Sequence, residues 1–320
     1  MNFLKIYGDR VRHTHERGGT KMQMQTTKLS LIFSLLVIFL FAVFAKDSLS
    51  QSKKCFLWKV QSKTKTVYVL GSIHYLKKEM YPLDEKIEKA FEQSEILVVE
   101  ADVANIQKED MQKLMENAFY TEDDTLQKHL SAETYGLVKK KLEELGASLE
   151  VANKYKPWFL GLNFVSLELL KLGFDPNFGI DRYFLEKAAE RKKILELESL
   201  EYQFKLFSAL SKKDQESFLL YILKDIKVLE RELDKLVKAW SAGDEKGIEL
   251  IMTKSIKEDK RLIPIYGKLV VERNKKMVSK IDEYLKEKET FLVIVGAGHL
   301  VGNQGIIELL KRKGFSPEQL

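Results

Sequence analysis

The chain is short of cysteine, of histidine and, over most of its length, of net charge. Cys55 stands alone in 320 residues. No internal disulfide can form, so the core must hold the fold even in an oxidising compartment. Ser52, Lys53 and Lys54 precede Cys55. A lipid-anchor cysteine would need small residues there and an apolar run beside it, and it has neither. There are five histidines, and His13 and His15 lie in the first 45 residues. Only His74, His129 and His299 remain beyond them. The first 45 residues also hold six basic and two acidic side chains. Without them the formal charge falls from +6 to +2, with 47 basic and 45 acidic residues. So balanced a chain argues against a nucleic-acid partner.

What is present begins with an apolar run. Leu29–Ala45 is uncharged, follows Lys28 and precedes Lys46. Val43 and Ala45 give small residues at the −3 and −1 positions of a cleavage site, so residues 1–45 are expected to be a leader with a secretory signal. An uncleaved membrane anchor is the alternative, and seventeen residues lie at the short limit of about 17–25 for a span. Met22 or Met24 as the true start would give an ordinary n-region. The protein is therefore expected to be exported, whether periplasmic, extracellular or associated with a membrane through this segment. The working domain is 46–320.

A repeated unit dominates that domain. Thr66–Leu70 runs into Gly71–Ser–Ile–His74, and Phe291–Val295 runs into Gly296–Ala–Gly–His299. Each is a short apolar strand, a glycine turn and a histidine. Two of the three remaining histidines end such a turn, and after Gly71 the side chain of His74 should project from a loop rather than from the core. The third, His129, lies in a connection and is assigned a structural role. Gly296 and Gly298 lack the third glycine of a dinucleotide loop, which argues against nucleotide binding.

Phe56–Val60 and Thr66–Leu70 are spaced as a hairpin. Asp84 opens a helix that closes near Ser94, and Ile96–Val99 is a strand ending in Glu100. Strand, helix and strand make a βαβ unit. His74 and Glu100 should then follow the carboxyl ends of neighbouring parallel strands, the edge where open α/β sheets bind ligands. Amphipathic helices are expected over Gln107–Ala118, Ser131–Leu145 and Val151–Leu172, with Pro157 starting a helix. The Gly173–Gly179 loop leads through Asp181 to a helix at Arg182–Arg191. Lys193–Glu198 reads as another strand with an acidic exit, Glu198. Long charged helices fill 204–290 and include Leu219–Leu229, Leu233–Trp240 and Val270–Leu285, the last with Arg273 and Asn274 near its start. Phe291–Val295 should be a central strand, and a closing helix is capped by Gly314. The expected fold is a single α/β domain. Its βαβ-containing sheet is formed from both chain ends, with a large helical insertion at about 104–290.

Together, the two Gly–x–x–His turns, Glu100, Gly179–Ile–Asp181, Leu195–Glu198 and Arg273–Asn274 resemble the TraB/GumN family. That family includes the Tiki metalloproteases and is related to erythromycin-esterase and haem-binding ChaN-like proteins. The resemblance covers about Phe56 to Phe315. It implies a hydrolase cleaving peptide bonds with a metal-activated water, with manganese or cobalt favoured. Two imidazoles and a carboxylate suit a divalent transition metal, zinc and iron included. His74, His299 and Glu100 would be ligands, with Glu100 alternatively a general base. Arg273 would stabilise a developing oxyanion, and Gly71, Gly296, Gly298, Asp181, Glu198 and Asn274 would support the site. The substrate would be a peptide or another small molecule. Two readings remain open beside it. One is metal-free, esterase-like hydrolysis with a histidine as base. The other is a non-catalytic protein that binds a peptide or haem.

Overall fold

The computed structural model describes residues 54–320 apart from 63–64, 107, 122 and 227–228. The leader, its apolar run and the cleavage site lie outside the described residues. Among the described residues no helix is long and apolar enough to cross a membrane.

The hairpin forms as expected, from β1 (Leu57–Gln61) and β2 (Thr66–Ser72), with Gln61 opposite Thr66. Asp84 caps α1 (Glu85–Gln93) by accepting from the Lys86 amide, and α1 leads to β3 (Ile96–Val99). Then come α2 (Lys108–Ala118), α3 (Ala132–Leu145), α4 (Pro157–Lys171) and α5 (Ile180–Ala188). Ser131 caps α3, and Pro157 opens α4 at a position where its missing N–H costs nothing. A separate turn, Leu149–Ala152, replaces the expected start of α4 at Val151. After β4 (Lys193–Glu196) follow α6 (Leu200–Ser208), α7 (Lys212–Asp225), α8 (Leu229–Ser241), α9 (Glu245–Glu258) and α10 (Glu272–Tyr284). The chain closes with β5 (Phe291–Gly296), α11 (Ile306–Arg312) and β6 (Glu318–Gln319).

The protein is an α/β domain with one six-stranded mixed sheet, ordered β4-β3-β5-β2-β1-β6. β2, β5, β3 and β4 are parallel, and β1 and β6 join antiparallel at one edge. One expectation is corrected. β2 and β3 are not neighbours, because β5 lies between them and pairs with both. Phe291–Val295 is fully buried, as a strand covered on both faces requires. Its insertion aligns Ser72 with Gly296 and Val99 with Ile294, so both histidine turns leave the same sheet edge side by side. The helical insertion is itself interrupted by β4, which carries Glu198 to that edge. The ladder continues past β3 and β4: the Leu197 and Glu198 amides donate to the Val99 and Glu100 carbonyls, both at 2.8 Å.

Candidate active site

Four parallel strands deliver four side chains to one edge: His74 after β2, His299 after β5, Glu100 after β3 and Glu198 after β4. Gly296 lies among three of them. A Cβ built there would stand 3.4 Å from Glu100 Oε1, 3.6 Å from His74 Nε2 and 3.6 Å from His299 Cδ2. The two rings are thus no further apart than twice that last distance. His299 Nε2 is 3.8 Å from Glu100 Oε1. The convergence of residues 74, 100 and 299, expected from the paired motif, is what the fold produces.

The two histidines arrive differently. Gly71 lies within β2 rather than in a turn. Its lack of a side chain makes room for the Phe56 ring, which would stand 2.3 Å from an added Cβ. His74 then projects from a loop with 44% of its side chain exposed. Its Nδ1–H donates to Asp181 Oδ2 at 2.7 Å, and Ser72 Oγ–H donates to Asp181 Oδ1 at 3.0 Å. Asp181 stands in the first turn of α5, and the Ile180 amide donates to the Ile73 carbonyl at 3.0 Å. Gly179 permits that approach, since a Cβ there would fall 2.3 Å from the His74 carbonyl oxygen. Trp240 on α8 donates its indole N–H to the Gly71 carbonyl at 2.7 Å and anchors the strand end from below.

His299 instead sits in a single helical turn, Ala297–Leu300, and is 8% exposed. The glycine turn expected here coils at once into helix and packs the ring inward. Gly298 makes room for Met252 of α9, whose Cε would lie 2.3 Å from an added Cβ. His299 Nδ1–H donates to Asn274 Oδ1 at 2.6 Å. Asn274 Nδ2 donates to the Gln304 carbonyl at 2.7 Å, which fixes the amide with its oxygen toward the ring.

Glu100 is pinned on both oxygens. Oε1 accepts from the Gly296 amide at 2.6 Å, and Oε2 accepts from Arg273 Nη2 at 2.6 Å and from Gln203 Nε2 at 3.3 Å. Arg273 is buried, and every nitrogen of its guanidinium is committed. Nε and Nη2 donate to Glu198, and Nη1 donates to the Leu269 carbonyl at 3.0 Å. Leu269 lies in a π turn, Gly267–Val271, where the widened bonding pattern leaves a carbonyl for a side chain. The oxyanion role expected of Arg273 is therefore corrected. Arg273 holds Glu100 and Glu198 from behind, with four of its five N–H groups committed to them and to Leu269 and its side chain only 10% exposed. Gln203, which bonds both Glu100 and Glu198, was not singled out from the sequence. Nor was Ser72, although it lies inside the first histidine motif.

Charge follows from these partners. Burial alone would raise the Glu100 pKa, but Arg273, His299, His74 and the Gly296 amide together hold it down to about 2. Burial also disfavours a charged His74, yet Asp181 and Glu100 overcome it and raise its pKa to about 9. His299 has no carboxylate partner on Nδ1. Burial lowers its pKa to about 4 despite Glu100, with Arg273 and His74 adding to the fall. With both Nδ1 atoms bound to acceptors, a neutral ring at either position carries its lone pair on Nε2, beside Gly296. Imidazole nitrogens oriented in this way by a second partner are of the kind that transition metals take as ligands. Among the described residues no three His, Cys, Asp or Glu side chains are grouped so as to hold a metal ion. His299 presents a neutral Nε2 that could serve as a metal ligand, and His74 would do so only after its Nε2 proton leaves. Glu100 Oε1 lies 3.8 Å from His299 Nε2, with one of its lone pairs taken by Gly296.

The site opens into a cavity of about 380 Å³ lined by His74, Glu100 and Asp181, with Tyr75, Val103 and Pro176 as apolar walls. Arg182 and Gln203 complete it. His129, expected to be structural, stacks on Tyr120 at 4.5 Å far along the chain from this edge, and bonds Asp124.

A parallel-sheet edge with two histidine turns and a pinned carboxylate defines the class. The profile of the TraB/PrgY/gumN family matches residues 56–319, and the chain belongs to that family. It is 23% identical over 249 residues to the uncharacterized protein YbaP of Escherichia coli (strain K12), covering 76% of this chain and 87% of that protein. YbaP of Shigella flexneri matches to the same extent. A metalloprotease TIKI homolog of Amphimedon queenslandica is 36% identical over 58 residues, 18% of this chain and 11% of that protein. No solved structure matches.

Proposed function

We propose that this edge is the active site of a metal-dependent hydrolase that cleaves peptide bonds. The observation that carries the reading is the pair of anchored imidazoles. Asp181 and Asn274 hold the two Nδ1–H groups, which leaves His74 Nε2 beside Gly296 and His299 Nε2 3.8 Å from Glu100 Oε1. The limited similarity to the TIKI metalloprotease homolog supports the peptide bond as target. The metal, bound by His74, His299 and Glu100, would acidify water and polarise a carbonyl; manganese or cobalt is our first choice, with zinc and iron next.

The chain's own residues do the rest. Glu100 stays ionised down to about pH 2. That suits a ligand and disfavours a general base, whose pKa should lie near the working pH. Arg273 and Gln203 fix Glu100, and Glu198 balances the Arg273 charge. His74 must release a proton from Nε2 to become a donor, so ion binding here is coupled to pH. Tyr75, Val103 and Pro176 limit water around a bound chain.

Metal content and peptide turnover, measured on wild type beside His74→Ala and His299→Ala, test the reading. Bound metal with turnover that chelation abolishes and either substitution removes is the expected result. Turnover that survives exhaustive chelation removes the metal from the reaction. One observation favours that second, esterase-like reading: the His74–Asp181 pair needs no metal to hold and deliver a proton. We further infer that the apolar run at 29–45 exports the protein or ties it to a membrane. Fractionation of producing cells checks this, and accumulation of the full-length chain in the cytoplasm would refute it.

A further inference from the structure

The arginine that faces the cavity is not Arg273. It is Arg182, one residue beyond the aspartate that holds His74. The charges around the cavity explain why this matters. Glu100 is matched by Arg273, and Asp181 is matched by His74. Both lining carboxylates are thus already paired with a cationic or proton-bearing partner.

Arg182 is paired differently. Its Nε–H donates to Glu186 Oε1 at 2.8 Å, one helical turn further along α5. The two side chains are 40% and 58% exposed. An ion pair so open to water holds its members weakly, and this one uses Nε alone. The Nη edge of the guanidinium forms no hydrogen bond among the described residues. That edge is the fork that takes a carboxylate with two parallel bonds. Apolar walls from Tyr75, Val103 and Pro176 stand beside it and strengthen such a bond once a ligand excludes water.

We infer that Arg182 is a specificity-determining residue that binds a carboxylate of the substrate. The inference rests on the proposed peptidase reading of the same cavity and names its substrate class: peptides with a free carboxylate near the scissile bond. Arg182 lines the same cavity as His74 and Glu100, so the group would sit on the part of the chain that enters this cavity. The carboxylate can be the chain terminus or an acidic side chain.

Three versions of one fluorogenic peptide separate these sources: a free C-terminus, an amidated C-terminus, and an amidated peptide with glutamate next to the cut. Wild-type protein loaded with manganese should turn over at least one carboxylate-bearing version about tenfold more efficiently, through KM rather than kcat. Preference for the first assigns the terminus, and preference for the third assigns the side chain. Arg182→Gln should collapse the preference to about one, and Arg182→Lys should restore part of it. Glu186→Gln frees the guanidinium and should sharpen the preference about twofold. Equal efficiency of all three peptides in wild type, or a preference untouched by Arg182→Gln, overturns the inference. If wild type cuts none of them, the peptidase reading fails, and direct titration of the same peptides decides the binding claim. Fivefold tighter binding of a carboxylate peptide than of the plain amide, lost in Arg182→Gln, supports it. Equal affinities refute it.

Discussion

The two Gly–x–x–His units read alike in sequence and are built in opposite ways. The first leaves its histidine half in water, beside an aspartate. The second coils inward and gives its histidine to an asparagine in the core. One ring therefore gains protons and the other loses them. The lesson is that a motif fixes where a side chain leaves the sheet, whereas the partner on Nδ1 fixes what the ring can do. Those partners come from the helical insertion, from α5 in one case and α10 in the other.

The buried half should be the more fragile. Arg273→Met would strand Glu100 and Glu198 as buried, unmatched charges, a change worth about 3–5 kcal/mol. Denaturant unfolding should register it, and a loss below about 1 kcal/mol would break the picture of a load carried by the second unit. The first glycines of the two motifs should then fail in different currencies. Gly296→Ala leaves only ordinary contacts around the new methyl, yet the methyl sits between Glu100 and both rings. Turnover should fall about a hundredfold, as a displacement of order 1 Å can cause, with the melting temperature nearly unchanged. Gly71→Ala drives a methyl into Phe56 and should cost about 1–3 kcal/mol of stability. Reversal of these two outcomes would contradict the assigned roles.

Smaller again is the difference between the ring partners. Asn274→Leu orphans a buried imidazole N–H and should cost about 1–3 kcal/mol. Asp181→Leu leaves a half-exposed ring that water can satisfy, so thermal denaturation should show a smaller loss.

The two rings should also differ in pH dependence, measured on the metal-free protein. The folded His74 pKa, about 9, lies above its ordinary 6.5. Its contribution is complete below 6.5 and is lost as pH rises through 9. The folded His299 pKa, about 4, lies below 6.5. Its contribution is complete above 6.5 and is lost as pH falls through 4. His74→Gln should flatten the alkaline limb of stability against pH, and His299→Gln the part of the acid limb between about 6.5 and 4. Exposure of His74 makes the first change the weaker.

Much of this was legible in the residues. Alternation and turn spacing gave β1 and β2. Asp84, Ser131 and Pro157 marked helix starts, because capping is local chemistry. Five uncharged residues at Phe291 signalled a central strand. The placement of β5 between β2 and β3 was not legible, since strand order depends on which edges pair across the whole chain. β6 is two residues long and carries no periodic signal. Gly71 looked like a turn because nothing local reveals the Phe56 ring packed against it. The Arg273 error had a similar source. A sequence shows that an arginine is available, not that two carboxylates and a carbonyl already take four of its five N–H groups. A glutamine on a helix has no pattern of its own, so nothing local marks Gln203 as the bridge between Glu100 and Glu198. The acidic strand ends at Glu100 and Glu198 were visible, but their shared arginine was not.

Cobalt titration, followed by calorimetry on wild type, His74→Ala and His299→Ala, bears most directly on the account. We predict one ion per wild-type chain, with protons released on binding, and loss of that ion in each variant. No binding by wild type, or undiminished binding by either variant, would show that the two imidazoles do not share a ligand.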